Sequence, residues 1–113
     1  MSRYAGTDLE IGKQYWLDEL DKRIERLEIK GIDLANTEKD YRVALAKKIL
    51  KLNDVRSGTV KVEIAKGTED IAFKRLQRDI EKVKYDTVQQ SIYQSKLELG
   101  IIKEDILNER LQR

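Results

Sequence analysis

The chain has 113 residues, enough for one domain but not for two independent cores, and 39% are charged against 40% hydrophobic and 6% aromatic. It contains no histidine, cysteine or proline, which excludes disulfides, thiolate chemistry, imidazole ligands and every Ser-His or Cys-His pair. The net charge of +2 conceals a division: 6 basic and 9 acidic groups in residues 1–38, 13 and 7 in residues 39–84, and 4 and 5 in residues 85–113.

Abundant Glu, Lys, Arg, Leu and Ile without proline is the composition of long helices. Apolar residues recur at helical spacing almost end to end, so an ordered all-α chain is expected rather than a disordered one. No run of about 18 apolar residues occurs, and no apolar leader opens the sequence. The expectation is a soluble, cytoplasmic protein with no membrane segment.

Residues 1–6 read as a flexible start. Thr7 or Asp8 can cap a helix, with Glu10 in the favoured first turn. Leu17, Leu20, Ile24, Leu27 and Leu34 then follow 3-, 4- and 7-residue steps, with Gly31 at the remaining seam position. The pairs Asp18–Lys22 and Glu19–Arg23 support helix at i,i+4. A glycine within a helix costs about 1 kcal/mol relative to alanine, so a turn is expected near 31–37, with Asn36 or Thr37 capping a new helix. Tyr41, Leu45, Ile49 and Leu52 continue a stripe until Asn53, Asp54 and Ser57-Gly58 stop it, which places a turn at 53–59.

Residues 59–66 fit two structures. Val60, Val62 and Ile64 alternate as in a strand, whereas Val60, Ile64 and Ile71 share a helical face. An isolated strand has no partner here, so helix or an extended connector is favoured. A turn at 66–68 follows, with Thr68 as a cap and Glu69 and Asp70 in the first turn of the last helix. Phe73, Leu76, Ile80, Val83, Val88, Ile92, Leu99, Ile102 and Ile106 line that helix, and Gly100 is a point where it can be interrupted. Its seam reads as drifting from Leu76-Ile80-Val83 towards Tyr85-Val88-Ile92. The expected architecture is a long helical hairpin or three-helix bundle, oligomeric and coiled-coil-like, because thinly apolar helices bury surface by pairing lengthwise.

Within "YRVALAKKILKL", Tyr41, Leu45, Ile49 and Leu52 fall in an arc of about 80° at about 100° per residue, with Val43 and Leu50 opposite. Two apolar faces point to contacts on two sides. The candidate self-association seam is therefore Trp16, Leu17, Leu20, Ile24, Leu27, Leu34, Tyr41, Leu45, Ile49, Leu52, Leu76, Ile80, Val83, Val88 and Ile92. Trp16, the lone tryptophan, reads equally as an interface anchor or as core. The candidate nucleic-acid contacts are Lys47, Lys48, Lys51, Arg56, Lys61, Lys66, Lys74, Arg75, Arg78 and Lys82 in the basic middle. Single-strand binding also requires exposed aromatic rings, and helical spacing reads Tyr41 and Phe73 as core instead, with Tyr85 and Tyr93 taken the same way. There is no Walker-type glycine loop and no Glu-x-x-His pair. No catalytic residue, metal ligand, cofactor or small-molecule substrate is therefore assigned, and an enzyme is not expected.

The order "YRVALAKKILKL", a turn at "SGTV", then "GTEDIAFKRLQRDIEKVKYDTVQQSIYQSKLELG" resembles small all-helical proteins of tailed bacteriophages and prophages. The residues that carry it are Tyr41, Ala44, Arg78, Asp79, Tyr85, Lys96 and Glu98, and it spans about residues 41–109. The resemblance implies a protein of the bacterial host cytoplasm that binds single-stranded DNA or a DNA-handling partner. Three functions follow as expectations: an oligomeric, non-enzymatic helical interaction protein, a single-stranded nucleic-acid-binding or recombination accessory protein, and a head–tail or tail assembly component.

Overall fold

The computed structural model describes residues 7–52 and 57–112. These form α1 (Thr7–Lys51), α2 (Gly58–Gly67) and α3 (Glu69–Leu111), and no strand occurs among the described residues. The all-α expectation holds. The strand alternative for 59–66 gives way to α2, whose start is fixed by Ser57: its backbone is extended and its hydroxyl accepts from the Val60 amide at 3.3 Å. Residues 53–56, where part of the second expected turn falls, lie outside the described residues.

The turn expected at 31–37 does not form, because α1 runs through it unbroken. Thr37 caps nothing; its hydroxyl bonds back to the carbonyls of Asp33 and Leu34 at 3.1 and 3.0 Å, satisfying itself inside the helix. At Gly31 the missing side chain leaves room for the Tyr85 ring, which would lie 3.4 Å from a Cβ there. That is ordinary contact distance. Gly31→Ala is therefore expected to raise stability by about 1 kcal/mol through helix propensity alone. Gly31→Leu should lower it by about 1–3 kcal/mol as Tyr85 is displaced; thermal melts followed by circular dichroism distinguish the two. Likewise α3 passes straight through Gly100.

Thr68 joins α2 to α3. Its hydroxyl and amide both donate to the Ala65 carbonyl, at 2.7 and 3.2 Å, while its own carbonyl accepts from the Ala72 amide at 2.9 Å. One residue therefore closes one helix and opens the next.

The chain divides into two compact units, the first made of α1 up to Glu28 with α3 from Asp86 onward, the second of Ile29–Tyr85. In the first unit Leu9, Val88, Leu99 and Ile102 are buried together with Ser95, and Trp16, Leu20, Leu27, Ile92 and Ile106 are half-buried. In the second, the contacts Gly31–Tyr85, Glu38–Arg78 and Lys48–Asp70 run in opposite senses along the two helices. There α1 and α3 are antiparallel, with Tyr41, Ile71 and the α2 residue Ala65 buried.

The inward side of α3 repeats in alternating steps of three and four. In the second unit it is Ile71, Lys74, Arg78, Glu81 and Tyr85; in the first it is Val88, Ile92, Ser95, Leu99, Ile102, Ile106 and Glu109. Every one of these is buried or half-buried. That spacing is the three-four alternation of a heptad repeat, present in each unit. The expected drift from Leu76-Ile80-Val83 to Tyr85-Val88-Ile92 is not present. They are two faces of the same helix, the first exposed and the second turned inward.

Candidate interaction surfaces

The side chains proposed as a self-association seam separate into two sets. Tyr41 and Val88 are buried, and Trp16, Leu20, Leu27, Leu34, Leu45, Ile49, Leu52 and Ile92 are half-buried by their own chain. Leu17, Ile24, Leu76, Ile80 and Val83 are exposed. Trp16 is held inside its unit: the Tyr15 ring meets it edge-on at 5.2 Å and the Arg23 guanidinium lies 5.4 Å from its centroid.

Sequence periodicity missed the principal polar node of the first unit. Arg23 on α1 reaches α3, where its Nη1 donates to the Ser91 carbonyl at 2.6 Å and to the Ser95 hydroxyl at 2.9 Å. Its Nε sits 3.5 Å from Glu19. Ser95 is fully enclosed and its hydroxyl donates in turn to the Ser91 carbonyl at 3.2 Å. A serine at an inward heptad position gives no apolar signal, and the only hint was the Glu19–Arg23 pair.

The candidate nucleic-acid residues are not gathered onto one face. Lys48 pairs with Asp70 at 3.1 Å. Arg78 is committed within the second unit: it bonds Asp79 at 2.9 and 3.1 Å, approaches Glu38 at 3.4 Å and lies 4.7 Å over the Tyr41 ring. Lys61 and Lys66 are half-buried on α2, Lys51, Arg75 and Lys82 are exposed, and Arg56 lies outside the described residues. Lys47 and Lys74 do come together, with Lys39, around a groove of about 530 Å³ that also takes in Asp40, Val43 and Ala44. Of the aromatics read as core, Tyr41 is buried, whereas Phe73 and Tyr93 stand exposed. Their spacing is helical, but it belongs to outward faces.

A larger groove of about 670 Å³ is lined by Gly31, Leu34, Glu38, Arg42, Arg78, Asp79, Lys82 and Tyr85, among others. Its charges largely answer each other, since Arg42 bonds Glu38 at 2.7 Å and Arg78 bonds Asp79. The Arg42 hydrogen bond, and next the Arg78 charge, hold the Glu38 carboxyl below its ordinary value despite some desolvation. The Lys48 hydrogen bond does the same for Asp70. Both groups are depressed on folding, so both favour the folded chain above their ordinary values of 4.5 and 3.8. That contribution is lost as pH falls through the lower folded values. Glu38→Gln should therefore flatten the fall in stability between about pH 5 and pH 3, read from urea midpoints against pH.

Among the described residues no group of three or more acidic, histidine or cysteine side chains could hold a metal ion, and no helix is long and apolar enough to cross a membrane. No protein-family model, curated protein or solved structure matches this chain.

Proposed function

We propose that this is a non-enzymatic helical interaction protein that works as an oligomer, of the kind that tailed phages and prophages encode. One observation carries the reading. Eighteen large apolar side chains are exposed among the described residues, against six buried ones. Exposed apolar surface marks an interaction site where it is grouped, as the spacing of Phe73, Leu76, Ile80 and Val83 groups it on α3. It is arranged on helix faces, where helical partners pack. Mass by light scattering from about 1 to 100 μM tests this: a defined oligomer is expected, and a monomer throughout that range rejects the reading.

A second reading, single-stranded nucleic-acid binding, draws on the Lys39, Lys47 and Lys74 cluster and on the exposed Phe73 ring beside Lys74 in sequence. Cations with a stacking platform are what such binding uses. On this reading, a labelled oligonucleotide binds at low salt, is released at high salt, and binds less tightly when Lys47 and Lys74 become Glu. Anisotropy unchanged by protein at low salt removes it.

A further inference from the structure

In the second unit, α3 is more apolar on its outward side than on its inward side. Between the inward Ile71 and Tyr85 stand Lys74, Arg78 and Glu81, all half-buried. Facing away from α1 are Phe73, Leu76, Ile80 and Val83, exposed to 58%, 54%, 46% and 66%. A surface helix ordinarily carries its charges to water and its apolar stripe to the core. Here the order is reversed over that stretch, so the apolar stripe is the face still to be covered.

The spacing of that stripe specifies what covers it. Phe73, Leu76, Ile80 and Val83 are separated by three, four and three residues, the steps of heptad positions a and d. A face of this kind inserts its side chains into the gaps of another helix with the same repeat. Of the two a and two d residues, Ile80 at a and Leu76 at d match the combination that favours two parallel strands.

We propose that this stripe pairs with the same stripe of a second copy of the chain, parallel and in register. The inference rests on the oligomeric reading above and names its surface. In this register Asp79 stands at g and Lys84 at e, and g of one helix faces e of the next heptad in its parallel partner. Asp79 of each copy therefore meets Lys84 of the other, twice by symmetry. Both are exposed, and among the described residues their ion pairs lie along their own helix, Asp79 with Arg78 at 2.9 Å and Lys84 with Glu81 at 3.3 Å. An antiparallel pair centred on the same residues sets Asp79 against its own counterpart. It also directs Lys84 to Asp70, which Lys48 already holds at 3.1 Å. The like-charge contact at Asp79, absent from the parallel pair, favours the parallel arrangement.

The chain contains no cysteine, so a single introduced thiol reports the pairing directly. In a parallel pair Ile80 faces Ile80 and Leu76 faces Leu76. Mild oxidation should then link Ile80→Cys chains to one another, and Leu76→Cys chains likewise. An antiparallel pair instead layers Leu76 on Ile80, so that only a mixture of the two variants cross-links, which overturns the proposal. Light scattering runs beside this on Ile80→Asp, Asp79→Lys, Lys84→Asp and the double charge swap, with circular dichroism confirming the helices. Ile80→Asp should be monomeric. Each single swap should weaken association by about tenfold, and the double swap should restore it. An oligomer indifferent to Ile80→Asp, with no cross-link, rejects this surface while leaving self-association standing. A monomeric wild-type chain rejects both.

Discussion

Replacing Arg23 with methionine is expected to lower stability by about 2–3 kcal/mol at fixed protein concentration. The methionine keeps much of the stem and its packing near Trp16, so the loss reports the guanidinium. Arg23 makes short bonds to the Ser91 carbonyl and the Ser95 hydroxyl, with only 15% of its side chain exposed. A hydrogen bond from a charged donor contributes about 1.5–3 kcal/mol, and the two here share one nitrogen and so do not add in full. Arg23→Lys should recover little, because a single ammonium on a shorter reach does not present the same fork. Ser95→Ala should cost about 1 kcal/mol by itself and combine with Arg23→Met less than additively, since the two share one bond. Arg26→Met, on the exposed side of the same helix, should stay within about 0.5 kcal/mol. Urea denaturation followed by circular dichroism decides; equal effects at positions 23 and 26 would mean that Arg23 does not hold α3.

The second large effect separates two adjacent isoleucines. Ile102 is wholly buried and Ile101 is 36% exposed, because consecutive residues lie about 100° apart around a helix. Ile102→Ala leaves a cavity inside the first unit and should cost about 2–4 kcal/mol. Ile101→Ala empties no core position and should cost under about 1 kcal/mol. Similar losses at both would contradict the inward repeat assigned to α3.

Much of the fold could be read from the residues. Absent proline, dense helix formers and the stop around Ser57 lead to helices, and Thr68 with Glu69 and Asp70 marks where the last one begins. Gly31 misled because its propensity cost is real, yet a long helix held on both sides of it by packing outweighs about 1 kcal/mol. The same limit applies to the candidate surfaces. A rule that assigns apolar stripes to the interior selects Leu76, Ile80 and Val83, and passes over Lys74, Arg78 and Glu81. Burial of the latter depends on partners distant in sequence, such as Glu38 and the Tyr41 ring for Arg78. Periodicity along a single segment carries no record of those. Arg23 and Ser95 escaped for the same reason, since 72 residues separate them.

The opposed stripes of α3 also bear on how such a protein can diverge. Residues such as Ile71, Tyr85, Val88 and Ile102 specify the folded chain, while Phe73, Leu76, Ile80 and Val83 stand outside that requirement. Substitutions in the second set can accumulate without endangering the first. On the self-pairing proposed above, each substitution in the outer stripe changes both copies at once, so a lineage can alter how its chains pair while inheriting an intact scaffold.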